Sequence, residues 1–158
     1  MSSICSNPVA HELLDKGKSE QSFWWSHSAT GLDLKCRCDK IHNDIVIDLK
    51  TTGEGGASPE SFTRTITGFS YHLQAAHYLQ GTGAKRFIFV AIEKVFPYNI
   101  GIYELDNEFI DTGYELQEQA LLKISEATQT GKWLGYTDSE PNGIQTLDKP
   151  YWLNSNHD

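Results

Sequence analysis

Residues 36–52 read CRCDKIHNDIVIDLKTT, and this stretch decides the fold. The polar turn His42-Asn43-Asp44 leads into the apolar run Ile45-Val46-Ile47, which is followed by Asp48 and Lys50. Residues two apart in a strand point to the same face of the sheet. A carboxylate and an ammonium therefore share one face of a strand whose apolar residues belong in a core.

A second carboxylate, Asp39, precedes Asp48 by nine residues across the polar turn. Two hard oxygen ligands and a cation at one sheet edge could hold Mg²⁺ against a phosphate, with the backbone carbonyl of Leu49 between them. Lys50 would orient or deprotonate an attacking water, or stabilise the developing charge. The alternatives are a surface ion pair of little energetic value and a turn-forming Asp39.

Gln74 and Tyr78 are four residues apart in a predicted helix, so they lie on one helix face. That face could turn toward the carboxylates and hold a substrate phosphate or the lysine. The alternative is an ordinary pair on a helix surface.

Composition indicates an ordinary globular chain. It has 158 residues, 39% hydrophobic and 22% charged, which predicts a single domain over residues 1–158. No apolar run approaches the roughly 20 residues that span a bilayer, and residues 1–8 lack the pattern of a signal peptide. Three cysteines, an odd number, argue against a disulfide framework and favour a reducing cytoplasm, with no membrane partner.

The net charge of −8 has the wrong sign for a protein that coats nucleic acid through bulk charge. A DNA-processing function therefore requires acidic residues that act as metal ligands and basic residues that cluster in space. The basic candidates are Lys35, Arg37, Lys40, Lys50 and Arg64.

Periodicity and turn signals predict the remaining elements. The predicted helices cover residues 10–18, 61–79 (with a break near Gly68) and 108–130. The predicted strands cover residues 22–26, 32–38 (closed by Asp39), 45–50, 86–92 and 100–105, and residues 51–59 form a glycine-rich loop. The prediction is an α/β fold with a mixed central sheet of about five strands flanked by helices. The ends of strands two and three would then meet at the edge that carries Asp39, Asp48 and Lys50.

The pattern Asp39…Asp48-Leu49-Lys50-Thr51-Thr52…Gln74-x-x-x-Tyr78 resembles the PD-(D/E)xK nuclease superfamily, whose core is a restriction-endonuclease-like αβββαβ arrangement. The wider context over about residues 10–135 resembles more narrowly the nuclease domain of RecE-type exodeoxyribonuclease VIII, usually encoded by phages or prophages. The segments that carry this narrower likeness are SFWW (22–25), TGL (30–32), KCRCDK (35–40), DLKTT (48–52) and YHLQAAHY (71–78).

The resemblance implies a Mg²⁺ site, with Mn²⁺ as a substitute, in which Asp39 and Asp48 are ligands and Lys50 is the catalytic lysine. Gln74 and Tyr78 belong to the active-site helix motif. We assign DNA contacts to Arg37, Lys40, Thr51, Thr52 and Arg64. The implied activity is 5′→3′ exodeoxyribonuclease action on linear double-stranded DNA, which leaves 3′ overhangs for recombination. The implied partners are further copies of the chain in a ring and a RecT-type single-strand annealing protein.

The chain departs from the family pattern in two places. Cys38 stands where the family usually has a proline that shapes the turn. Related domains also carry a longer helical segment before the strands, with a histidine near the metal, so we expect a chain shortened at its N-terminus. His11, Glu12 and Glu20 are the candidate upstream ligands. The alternatives are a related nuclease with another end preference, or a catalytically impaired domain that serves as a DNA-binding or assembly module.

Overall fold

The computed structural model describes residue 4 and residues 6–150. The chain divides into two compact units, Met1–Leu122 and Lys123–Asp158. In chain order the described elements are α1 (Pro8–Asp15), β1 (Lys18–Ser26), β2 (Asp33–His42), β3 (Ile45–Thr52), α2 (Pro59–Gly68), α3 (Tyr71–Thr82), β4 (Arg86–Glu93), β5 (Ile100–Glu104) and α4 (Asn107–Thr130). The prediction of a single domain over residues 1–158 stays a prediction.

One mixed sheet organises the first unit, with strand order β1-β2-β3-β4-β5. The β1–β2, β2–β3 and β4–β5 pairs are antiparallel, whereas β3 and β4 are parallel. Parallel neighbours require a crossover connection, and α2 and α3 supply it between β3 and β4. The predicted α/β fold with a mixed five-stranded sheet is confirmed.

The hydrophobic core lies between the sheet and the crossover helices. Val46, Phe87 and Phe89 from β3 and β4 pack with Phe62 and Ile66 of α2 in one buried cluster. Side chains alternate along a strand, so Asp48 lies on the same side of β3 as Val46. The Asp48 carboxylate therefore lies on the side of the sheet that the crossover helices cover.

The helical segment predicted over residues 61–79, with a break near Gly68, forms two helices. The α2 helix ends at Gly68 and α3 begins at Tyr71, and Ser70 between them adopts a left-handed backbone conformation with φ of 54°. A non-glycine residue in this conformation interrupts a right-handed helix. The break therefore follows directly after Gly68, as predicted.

The first helix also differs from its predicted range of residues 10–18. It begins at Pro8, because the Asn7 side chain accepts hydrogen bonds from the backbone N–H groups of Val9 and Ala10 and so caps the helix. Proline is well tolerated in the first turn, where its missing N–H has no helical partner. The helix ends at Asp15, before Gly17.

No helix within residue 4 and residues 6–150 is both long and apolar enough to cross a membrane.

Candidate active site

Asp48, Lys50 and Gln74 form a closed triangle of polar contacts. The Gln74 amide nitrogen donates a hydrogen bond of 2.6 Å to Asp48 Oδ1, and Lys50 Nζ donates one of 3.1 Å to the Gln74 amide oxygen. Lys50 Nζ lies 2.5 Å from Asp48 Oδ2 in an ion pair. The structure thus brings together three of the predicted site residues, from β3 and from α3.

Asp48 lies in an almost dry environment, with 3% of the residue exposed. Burial raises the pKa of its carboxyl above the ordinary range. The Lys50 ammonium and the Gln74 amide act in the opposite direction, and the nearby Asp39 carboxylate raises the pKa further. The close partner of Asp48 Oδ2 is the Lys50 ammonium, and no second donor among the described residues reaches this oxygen. This oxygen therefore retains capacity for another cationic ligand.

The Lys50 side chain is 19% exposed and packs against aromatic rings. Its Nζ lies 4.5 Å from the centre of the Tyr71 ring and 5.8 Å from that of Phe89. Cations are attracted to the faces of aromatic rings at such distances. Sequence reasoning missed both rings. Tyr71 could have been found because it precedes Gln74 by three residues on one helix.

Asp39 reaches β3 from the neighbouring strand. Its Oδ2 accepts a hydrogen bond of 2.8 Å from the backbone N–H of Leu49. The β2–β3 ladder ends with the pair Lys40 and Ile47, so the side chain of Asp39 takes the place of a backbone acceptor. A residue's N–H and C=O point to the same side of a strand, so the Leu49 carbonyl also faces the β2 side of β3.

The prediction that Asp39 closes the second strand is wrong, because β2 continues to His42. Cys38 is buried in the core and Ile41, three residues later, packs against the same core, so the regular alternation of β2 is broken between them. The opposite residue on β1, Glu20, has φ of 53°. The ends of the two strands therefore do not bring Asp39 to Asp48. A local distortion within β2 brings Asp39 toward β3 instead.

Tyr78 lies one turn after Gln74 on α3 and is half-buried against the core. Burial raises the pKa of its hydroxyl, and the Asp48 carboxylate adds to the effect. The Cys38 thiol is also influenced by both carboxylates, and burial is the largest of the causes that raise its pKa to about 12. The surroundings of Asp48 are therefore dry and hold several weak acids in their neutral form.

The oxygen ligands at this edge suit Mg²⁺. Proteins usually hold this ion with one or two carboxylates and leave its other positions to water and substrate phosphates. Asp48 Oδ2, with no aligned donor, the Asp39 carboxylate and the Leu49 carbonyl are all hard oxygens of the required kind. The residues present therefore fit the ion that the family implies.

The candidate metal ligands upstream of Asp39 contact other residues or are exposed. Glu12 forms an exposed salt bridge of 3.0 Å with Lys16, and Glu20 is paired with Arg37. His11 lies on the exposed side of α1. Among the described residues, no three or more His, Cys, Asp or Glu side chains are grouped so as to hold a metal ion. An upstream ligand stays a prediction.

Several predicted DNA-contacting side chains are engaged within the chain. Arg37 is bonded to Glu20, and Arg64 forms a 2.5 Å salt bridge with Glu60 one helical turn away. Lys40 donates a hydrogen bond to the backbone carbonyl of Leu14. These contacts reduce the positive charge that the side chains offer to a phosphate, and their assignment to DNA stays a prediction.

The two threonines after Lys50 differ from one another. Thr51 is exposed, whereas the Thr52 hydroxyl is buried and lacks a hydrogen-bond partner within the part of the chain that the structure describes. Thr52 lies beside Glu93 in the parallel register of β3 and β4. Glu93 is a buried carboxylate that sequence reasoning did not single out.

The site geometry agrees with what sequence comparison finds. Residues 1–140 match the family described as a PDDEXK-like domain of unknown function (DUF3799). The chain belongs to this family. The match covers every residue of the proposed centre, so the PD-(D/E)xK superfamily likeness of the motif is confirmed. A comparison with curated protein sequences finds no match.

A solved structure shows the same fold as this PDDEXK-like domain. The crystal structure of a "Putative exonuclease" from Eubacterium rectale is similar with a TM-score of 0.67 and 15% sequence identity, covering 94% of this chain and 59% of that chain. The crystal structure of SSO0001 has a TM-score of 0.48 and 21% identity, covering 83% of this chain and 58% of that one. The PDDEXK-like domain thus spans about three fifths of the length of both structures.

The family and the fold together support a nuclease, that is, a hydrolase of phosphodiester bonds. The RecE-type assignment, the direction of strand degradation and the metal requirement are narrower than what the family describes.

Proposed function

We propose that this chain is a Mg²⁺-dependent 5′→3′ exodeoxyribonuclease of the RecE type, which degrades one strand of linear duplex DNA and leaves 3′ overhangs for recombination. One observation carries the proposal. The buried Asp48 carboxylate is linked to both Lys50 and Gln74, and the Asp39 carboxylate from the neighbouring strand is bonded to the backbone N–H of the next residue, Leu49.

Each residue has a defined task in phosphodiester hydrolysis. Asp48, Asp39 and the Leu49 carbonyl would hold Mg²⁺, which supplies Lewis-acid polarisation of the phosphate and a more acidic bound water. Lys50, whose position is set by Gln74 and Tyr71, would orient the attacking water or stabilise the negative charge that develops on the phosphoryl oxygens. The oxygen of the water bonds to phosphorus as the bond from phosphorus to the leaving sugar oxygen breaks.

Gln74 positions the carboxylate of Asp48 and the ammonium of Lys50. Its amide holds the Asp48 oxygen through one atom and the Lys50 ammonium through the other. A single amide thereby keeps the two charged groups at the distance that the reaction needs. Such preorganisation lowers the cost of aligning charges when the transition state forms.

The remaining parts of the proposal follow the same resemblance. Mn²⁺ would substitute for Mg²⁺, the chain would assemble into a ring around linear DNA, and a RecT-type annealing protein would receive the overhang. The protein would be encoded by a phage or prophage and act in the cytoplasm. Because the chain spans about 59% of the Eubacterium rectale structure, these properties are proposed for the domain alone.

A cleavage assay with end-labelled DNA tests the proposal. Linear duplexes labelled at the 5′ or at the 3′ end, together with a closed circle, are incubated with the protein and either Mg²⁺ or EDTA. We expect Mg²⁺-dependent release of label from 5′ ends and an intact circle. Lys50→Ala should abolish release. The matched control Lys85→Ala, which removes an exposed lysine paired with Asp44, should retain it.

The other outcomes identify the rivals. Cutting of the closed circle would indicate a related nuclease with a different end or structure preference. No cleavage by the wild-type protein, with unchanged DNA binding in Lys50→Ala, would indicate a DNA-binding or assembly module. The internal pairing of Arg37 and Arg64 with carboxylates reduces the charge available to DNA, so within this last possibility it favours an assembly module over a DNA-binding one.

A further inference from the structure

The loop between β4 and β5 exposes two aromatic side chains. Phe96 is 84% exposed and Tyr98 is 46% exposed. Their ring centres are 6.3 Å apart, and the rings meet edge to face at 85°. Lys94, which precedes them, is also exposed. Among the described residues, the Phe96 ring contacts the ring of Tyr98, so the pair presents aromatic surface to solvent.

The loop begins at the edge of the sheet that carries the candidate active site. The Lys94 backbone N–H donates a hydrogen bond of 3.0 Å to the carbonyl of Thr52, and Thr52 follows Lys50 by two residues. With about 3.3 Å per strand residue and about 4.8 Å between strands, Phe96 lies within about 20 Å of Lys50. A DNA strand bound at Lys50 therefore reaches the loop within a few nucleotides.

A buried carboxylate holds the base of the loop. Glu93 Oε2 accepts a hydrogen bond of 3.0 Å from the Asn99 side chain, and the Glu93 backbone N–H donates one of 2.9 Å to the Asn99 carbonyl. The Tyr98 N–H donates one of 2.7 Å to the carbonyl of Val95. The two aromatic rings thus project from a closed turn rather than from a loose segment.

The backbone at Tyr98 is strained, with φ of 61°. A tyrosine in the left-handed region costs free energy, and such residues persist where surrounding contacts determine the conformation. An open groove of about 360 Å³ borders the ring and is lined in part by Asn7, Tyr98 and Asn99. A half-exposed ring, a groove lined in part by amides and an exposed lysine four residues earlier in the chain suit a base and its phosphate.

The geometry points to Phe96 and Tyr98 as a base-stacking subsite that holds unpaired nucleotides of the DNA strand next to the cleavage centre. The assignment deepens the proposed nuclease function and rests on it for the identity of the ligand. Aromatic rings stack on any base, so the subsite accepts unpaired DNA of any sequence. Lys94 would contact the backbone phosphate beside the stacked base.

A binding cycle in EDTA tests the assignment without turnover. The probes are duplexes with one hairpin-closed end and a six-nucleotide single-stranded tail, made with normal bases or with abasic sites throughout the tail. Equilibrium affinities are measured by fluorescence anisotropy. The abasic tail keeps every phosphate and removes every stacking partner, so the difference between the two tails isolates base stacking.

We expect the wild-type protein to bind the normal tail at least tenfold more tightly than the abasic tail. The double variant Phe96→Ala/Tyr98→Ala should lose this difference, and its affinity for the abasic tail should equal that of the wild type. Phe96→Trp should restore the preference in a Tyr98→Ala background. Tyr136→Ala removes an aromatic side chain that is almost fully exposed in the second unit, and it should leave the preference unchanged.

Three results would overturn the subsite. These are equal weakening on both tails, no weakening on either tail, or a change in oligomeric mass of the double variant with unchanged DNA affinity, which would assign the rings to a protein contact. The failure of the nuclease proposal is distinguishable. In that case the wild-type protein with Mg²⁺ releases no label, while the base-dependent affinity in EDTA persists.

Discussion

Two buried carboxylates lie on adjacent parallel strands, and they differ in which groups are bonded to their oxygens. Asp48 on β3 and Glu93 on β4 are each only 3% exposed. Both oxygens of Glu93 accept hydrogen bonds, from the Ala57 N–H and from the Asn99 amide. Asp48 has one satisfied oxygen, one oxygen without an aligned donor, and a lysine as ion-pair partner.

The difference separates a structural carboxylate from a reactive one. A buried polar group without its full set of hydrogen bonds costs stability and persists where another function requires it. Glu93 links the segment before α2 and the β4–β5 loop to the end of β4, so its contacts serve the fold. Asp48 pairs with the Lys50 ammonium in a dry cluster, and Oδ2 has no second donor among the described residues, which is the arrangement that a metal and a phosphate complete.

Asp48→Asn should produce the largest change in activity. We expect nuclease activity at pH 7 to fall by about 10³-fold or more, because a charged ligand of the metal is lost. Stability in EDTA should respond differently. Burial raises the pKa of Asp48, so its contribution to stability is fully present below the unfolded pKa and is lost as pH rises through the folded pKa. The neutral asparagine should therefore cost little at pH 7 in a thermal unfolding experiment.

The control for this variant is Asp44→Asn, which neutralises an exposed aspartate that is paired with Lys85. It should retain wild-type cleavage. A fall in the unfolding midpoint of Asp48→Asn as large as that of Glu93→Gln would erase the distinction between the two carboxylates.

Glu93→Gln should produce the largest change in stability. The new NH₂ group faces a donor at Ala57 or at Asn99, so one buried hydrogen bond is replaced by an unsatisfied pair. The expected loss is about 1–3 kcal/mol, or a fall of about 2–10 °C in the midpoint of thermal unfolding. Glu54→Gln, an exposed neighbour in the loop before α2, should unfold like the wild type. An unchanged midpoint for Glu93→Gln would refute the structural assignment.

Gln74→Leu tests how Asp48 is kept ionised. The Gln74 amide lowers the pKa of Asp48, so its removal should raise that pKa further. If the ionised carboxylate is the active form, the acidic limb of the pH–rate profile moves to higher pH, and activity at pH 7 falls by about 10–100-fold. A profile that keeps its shape while only the maximal rate falls would show that Gln74 acts on Lys50 alone.

The sequence predicted the β3 half of the site because that half is local. Alternation places Asp48 and Lys50 on one face, and the apolar run before them indicates a covered strand. Gln74 was added from its four-residue spacing to Tyr78 and from the superfamily resemblance, and the structure brings it to Asp48. The break near Gly68 was predicted correctly, because glycine is the residue that helix propensity marks, whereas the left-handed conformation of Ser70 was not predicted.

The rest of the site depends on contacts between segments distant in sequence. Asp39 reaches Leu49 through a distortion of β2 opposite Glu20, which alternation within one strand cannot indicate. The structural assignment of Glu93 depends on the parallel register beside Thr52 and on Asn99 returning from the next loop. Spacing rules describe neighbours along one element, whereas these contacts are set when strands and loops pack.

The exposed carboxylate of Glu104 extends the comparison and should give the smallest effect. Arg86 binds it with two hydrogen bonds, of 2.7 Å and 2.6 Å, and this pairing lowers the pKa of Glu104, opposite in direction to the shift at Asp48. The stabilising contribution is then present above the unfolded pKa and is lost as pH falls through the folded pKa. Water screens the pair, so Glu104→Gln should lower the thermal midpoint at pH 7 by about 2 °C or less. The difference from the wild type should shrink as the pH is lowered below the ordinary range of glutamate, and it should also shrink in 1 M salt. A difference that grew as the pH fell would place Glu104 with Asp48, as a carboxylate that the fold holds at a cost.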